Sequence, residues 1–96
     1  MTSEALLLPA VLDLQAASPL KATLLEHRGG DVQIDASNVQ RLGALCLQVL
    51  LAGARTWSED GHAYRIEPRS DAFSDTLTLF GAADRLAGSD ASGETL

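Results

Sequence analysis

The sequence predicts an α/β fold, a single domain in which a mixed four- to five-stranded sheet is covered by three to four helices. Three observations carry this. Short apolar runs of strand periodicity alternate with longer stretches of helical spacing, in the order β, β, α, β, α, β, α. The chain has 96 residues, enough for one modest core and too few for two. Hydrophobic residues make up 46% of it, the composition of a folded domain and not of a disordered chain.

In chain order, Ala5 to Leu8 is an apolar run closed by Pro9, and Leu12 and Leu14 alternate around Asp13 in the run from Val11 to Leu14. These predict two short strands joined at Pro9-Ala10. Ser18-Pro19 has the pattern of a hydroxyl N-cap followed by proline at the first helical position. Leu20 and Leu24 then share a helix face, with His27 following, and Gly29-Gly30 closes the helix in a left-handed turn. Val32 and Ile34 alternate with polar neighbours as a half-buried strand does, and helical spacing takes over near Leu42. Asp60-Gly61 stops this long helix. Ala63 to Glu67 is a strand with Tyr64 and Ile66 on one side, and Ser70-Asp71 opens a third helix with Phe73, Leu77 and Phe80 as its apolar stripe and Gly81 just past its end.

The long helix is the organising element. At about 100° per residue, centring one face on Gln48 places Arg55 and Glu59 beside it and Cys46, Leu50 and Trp57 opposite, as core. Ala44, Leu45, Leu51 and Ala52 flank the polar line, so the face that meets water is poor in charge. Such a face either lies buried in its own domain or awaits a partner, and with no other partner it can pair with a second copy.

Composition excludes several functions. Acidic residues outnumber basic ones by 13 to 7, and no Lys/Arg run occurs, so the phosphate neutralisation that nucleic-acid binding needs is missing. No apolar run approaches the ~20 residues that span a bilayer, and no basic segment with a cleavage site opens the chain. The expectation is a soluble cytoplasmic protein, to which one cysteine, Cys46, offers no internal disulfide. Candidate chemistry is thin. His27 and His62 have no ligand-spaced companion, so no metal or cofactor is expected. Cys46 falls on the core face, and Asp13, Asp31 and Asp35 lack a His, Ser or Lys at motif distance that would make a catalytic set. No phosphate-binding G-x-x-x-x-G-K-[ST] loop is present.

Asp35-Ala36-Ser37 with Val39, together with Pro68, Ser70, Phe73, Leu77, Leu79 and Gly81, resembles the STAS domain of bacterial anti-sigma factor antagonists. There an Asp-x-Ser turn leaves a strand, a Val follows, and an Asp-Ser-Ser/Thr-Gly step opens the next helix. The resemblance covers roughly residues 4 to 83, so the domain is expected over 1–83, with 84–96 a flexible acidic and polar tail. It implies a non-enzymatic protein-interaction module of bacterial signalling, of the short type that accompanies chemotaxis or two-component systems, whose partner is a signalling kinase or regulator. The alternative it implies is a ligand-binding or transport-associated module, such as a STAS subunit of a lipid-transport complex. Ser37, Asn38, Ala44, Leu45, Gln48, Leu51 and Ala52 are then the partner-binding positions. The family's phosphorylated Ser/Thr falls on Leu45, which has no hydroxyl to receive the roughly −2 charge of a phosphate. Ser37, the nearest hydroxyl, is expected to close its turn. A basic or ligand-sized pocket at the turn Asp35 to Gly43 would favour the ligand reading, and a flat apolar patch around Leu45 a protein partner.

Overall fold

The computed structural model describes residues 5–82. Within them lie five strands and three α-helices: β1 (Leu6–Leu7), β2 (Val11–Leu12), α1 (Ala17–Glu26), β3 (Val32–Ala36), β4 (Arg41–Leu42), α2 (Ala44–Asp60), β5 (Tyr64–Arg69) and α3 (Asp71–Leu79), with a 3-10 turn at Leu14–Ala16 before α1. The strands form two sheets, β1-β3-β5 and β2-β4, and every pairing is parallel. The expected single mixed sheet is therefore corrected. β1 and β2 lie in different sheets, and β4, too short to carry a periodicity, pairs back to β2 through Leu12 and Leu42.

Parallel sheets are usually covered on both faces, but here Val32, Ile34 and Ala36 are buried while Gln33 is exposed, and Tyr64 and Ile66 are buried while Arg65 and Glu67 are exposed. One face of the larger sheet carries the core. Ile34 pairs with Ile66 and Ala36 with Arg69, so β5 spends one extra residue in a bulge beside the cis Glu67-Pro68 peptide. Leu12, Ile34, Leu50, Trp57, Ile66, Phe73 and Leu77 are all at most 2% exposed and form the centre of the core.

The helix ends follow local chemistry. Gly61 and Gly81 take left-handed backbone angles. In each case the next amide reaches back to close the helix, His62 N–H to the Trp57 carbonyl and Ala82 N–H to the Leu77 carbonyl, the paired C-terminal bonds that such glycines permit. Ser70 caps α3, its Oγ accepting from the Phe73 amide at 3.0 Å. Ser18-Pro19 is not the start of α1. Asp13 opens the preceding 3-10 turn, accepting from the Ala16 amide, and α1 continues directly from that turn, so Ser18 and Pro19 fall within its first turn. The same turn ends the second strand at Leu12 and leaves Leu14 73% exposed. Phe80, expected in the α3 stripe, is 51% exposed because the helix ends before it. Residue 83 and the tail expected over 84–96 lie outside the described residues.

Candidate functional site

α2 begins where β4 ends, and a close approach fixes the point. The Gly43 amide donates to the Leu12 carbonyl at 2.8 Å, and a Cβ at Gly43 would sit 3.1 Å from that oxygen. Ala44 and Leu45 are thus the first two helical residues. From there the helix keeps the expected register. Cys46, Leu50 and Trp57 are buried, and Ala44, Leu45, Gln48, Ala52, Arg55 and Glu59 are exposed.

α1 packs beside α2, and between them runs an open groove of about 250 Å³. Leu45, Gln48 and Ala52 line it from α2, Lys21 and Leu25 from α1, and its floor includes Trp57. Leu25 is 50% and Leu45 41% exposed, which is much for leucine. The floor is held rigidly. The Trp57 indole N–H donates to the Gly30 carbonyl at 2.8 Å, the Tyr64 hydroxyl donates to the Leu50 carbonyl at 2.7 Å, and the two rings lie 5.5 Å apart in a tilted arrangement. Burial pushes the Tyr64 phenol well above its ordinary pKa, so it stays a donor. The far end of the groove is tied by Arg28 to Asp60, two guanidinium bonds of 2.9 and 3.2 Å joining the chain just after α1 to the last turn of α2.

The remaining expected positions are placed elsewhere. Leu51 is half-buried against the core and does not line the groove, nor does Ala44. Ser37 and Asn38 are exposed in the turn after β3. Ser37 closes that turn, its amide and Oγ both donating to Asp35 Oδ1 at 2.9 and 2.6 Å, and these bonds hold the Asp35 carboxyl below its usual range. The groove residues that the helical wheel missed are on α1 and the groove-side flank of α2: Lys21, Leu25, Val49 and Thr56. The available signal was Leu25, an apolar residue beside the core position Leu24 and off its stripe.

No catalytic constellation assembles from the expected carboxylates. Asp31 and Asp35 stand at opposite ends of β3, about 13 Å apart at strand rise, and each carboxylate is already engaged, Asp35 by Ser37 in its own turn and Asp31 by the Ala63 amide at 2.9 Å. Cys46 is fully buried, its thiol directed at the Asp13 carbonyl at 3.3 Å, and burial pushes its pKa up, the opposite of an activated nucleophile. His27 bonds the Thr23 carbonyl within its own helix, and His62 faces Asp31 at 3.7 Å. Among the described residues no group of three or more His, Cys, Asp or Glu is placed to hold a metal, and no helix is long and apolar enough to cross a membrane.

The fold is that of a small α/β domain with an open groove between α1 and α2. A family model described as "Mlab, STAS domain" matches residues 2–88, and the chain belongs to the STAS domain family. No curated protein and no solved structure gave a significant match. STAS domains are in general protein-interaction or signalling modules, and the family is generally non-enzymatic.

Proposed function

We propose that this STAS domain is a non-enzymatic binding module that engages a protein partner, a signalling kinase or regulator, through the α1/α2 groove. The observation that carries the reading is Leu45: an exposed leucine in the first turn of α2, opening an apolar groove shared with Gln48, Ala52 and Leu25. Small-molecule sites are typically cavities of about 300–1,000 Å³ that enclose most of the ligand. A groove of about 250 Å³, open along its length, suits a few side chains of a docked chain better. That weighs against a small-molecule ligand, and does not bear on the other half of the alternative, a transport-associated subunit that binds protein. In the anti-sigma factor antagonists that the sequence resembles, the first turn of this helix carries the phosphoacceptor; Leu45 offers none, so binding here is constitutive with respect to that modification. The Ser37 hydroxyl, in the turn after β3, is engaged by Asp35.

The test is Leu45→Glu. Exposed substitutions usually change stability by less than about 0.5 kcal/mol, and a carboxylate at a helix N-terminus gains about 0.3–1 kcal/mol from the macrodipole. An unpaired charge desolvated in an interface costs several times more. The variant is therefore expected to melt like the parent and to lose the protein that the parent captures from its native cell. Capture unchanged by Leu45→Glu, in a variant that melts normally, removes the groove from the interface.

A further inference from the structure

α1 is a wall with space on both sides. One side faces the groove shared with α2, and the other a smaller groove of about 140 Å³, bounded by Pro19, Leu20 and Thr23 of α1 and, opposite, by β1, Leu8 and Leu12. What seats α1 between them is narrow. Of its ten residues only Leu20 and Leu24 are buried, and these lie about 40° apart around the helix, where a surface helix commonly seats a stripe of about 100° or more. Leu24 borders the larger groove and Leu20 the smaller.

Polar bonds do not widen this seat. Past Ala17, whose amide donates to the Leu14 carbonyl, no hydrogen bond or ion pair among the described residues joins α1 to another element. Thr23 Oγ1 donates to the Pro19 carbonyl and His27 bonds the Thr23 carbonyl, so both bonds travel with the helix. The ties at its foot come after the helix. Arg28 to Asp60 is an exposed pair, a kind that contributes little, and the Trp57 bond to Gly30 lies past the turn at Gly29. The outer walls are fixed by comparison. α2 buries Cys46, Leu47, Leu50, Gly53 and Trp57, over about 120°, and is bonded to Tyr64 at the Leu50 carbonyl. β1 pairs with β3, and beside it the Leu8 amide donates to the Asp35 carbonyl at 3.0 Å.

Helix shifts at interfaces are about 1–2 Å, and the smaller groove gives α1 the space for one. We infer that α1 is a movable wall of the binding groove: a docking chain pushes it away from α2 into the smaller groove, and that clearance sets how wide the binding groove opens. This rests on the α1/α2 groove being the protein-binding site.

The test fills the clearance. Thr23 lines the smaller groove, while Ala22 is exposed and lines neither, so Thr23→Phe blocks the retreat and Ala22→Phe adds the same ring without doing so. Collective helix motions fall on the microsecond to millisecond scale, which NMR relaxation dispersion reads. In the free whole chain, the α1 amides and the Leu25 and Leu45 methyl groups are expected to show dispersion, and Leu50 and Ile66 none. Thr23→Phe should abolish it and lower the quenching by acrylamide of Trp57, the sole tryptophan; Ala22→Phe should leave both as in the parent. Flat dispersion along α1 in the parent overturns the inference, and so does undiminished dispersion in a Thr23→Phe protein that melts normally. Should Thr23→Phe not fold, the smaller Thr23→Leu is read by the same measurements. In the capture experiment Thr23→Phe should weaken binding by about fivefold or more. If Leu45→Glu abolishes capture while Thr23→Phe leaves it unchanged, the groove remains the interface and the moving wall is rejected as part of docking. Capture that survives Leu45→Glu removes the groove as the interface instead, a failure distinct from the loss of dispersion in the free chain.

Discussion

Gly53→Ala tests how tightly the groove floor is built. In an ordinary helix interior this exchange stabilises by about 0.8–1 kcal/mol, because alanine loses less backbone freedom. Here a Cβ on Gly53 would lie 2.7 Å from the Tyr64 hydroxyl and 3.1 Å from two atoms of its ring. The ring has little room to retreat, since Tyr64 is buried and packed against Trp57. Overpacking of this kind costs about 1–3 kcal/mol. If the ring shifts, its hydroxyl leaves the Leu50 carbonyl, and a buried donor without a partner costs about 1–3 kcal/mol more. With the propensity gain set against these, the net loss is about 1–5 kcal/mol, a large part of a typical total near 5–15 kcal/mol. Urea unfolding of Gly53→Ala, Tyr64→Phe and the double variant measures it. Tyr64→Phe removes the nearest clashing atom, so Gly53→Ala should cost less in that background, with a coupling of about 1 kcal/mol. A Gly53→Ala protein as stable as the parent or more so would show that β5 and α2 are not in the close contact described.

Three further outcomes follow from the same structure. Leu50→Ala should cost about 2–5 kcal/mol in denaturant unfolding, because a fully buried leucine leaves a cavity beneath α2; a loss under about 0.5 kcal/mol would mean the helix register is wrong. Arg28 holds the Asp60 carboxyl below its ordinary value of 3.8, so the pair's contribution is present above that pH and is lost as pH falls through the lower folded-state value; Asp60→Asn should make stability less dependent on pH there, and an unchanged acid limb refutes the linkage. Cys46, buried with its pKa raised, should react with a thiol reagent such as DTNB only slowly in the native protein and at once in denaturant; rapid native labelling would contradict its burial.

How far the sequence could be read depended on the range of the interactions involved. The α2 register was legible because seventeen residues of helix repeat their apolar face several times, so Cys46, Leu50 and Trp57 could be placed inside from spacing alone. Gly61, Ser70 and Gly81 mark helix ends by backbone chemistry that is local to them. The β2-β4 sheet was not legible, because each strand has two residues, too few to show alternation, and parallel pairing joins segments distant in the chain. Ser18-Pro19 misled because the 3-10 turn capped by Asp13 already supplies the helix start. The groove divided along the same line. Leu45, Gln48 and Ala52 could be placed on the exposed face of one helix, whereas Lys21 and Leu25 line the groove only through the packing of α1 on α2, which a single helical pattern does not contain.

The chain has one tryptophan and one tyrosine, and the fold brings them together, Trp57 and Tyr64 with ring centroids 5.5 Å apart. That makes the groove floor a natural optical gauge. At this separation excitation absorbed by the phenol passes to the indole, so the native protein should emit almost wholly as tryptophan, at the short wavelengths of a ring that is 1% exposed. Unfolding should release a tyrosine band and move the indole emission to the red. Because Trp57 also forms part of the groove lining, a docked chain alters the surroundings of that same indole. Occupancy and integrity can then be followed on one sample, without a label, in two separable spectral changes.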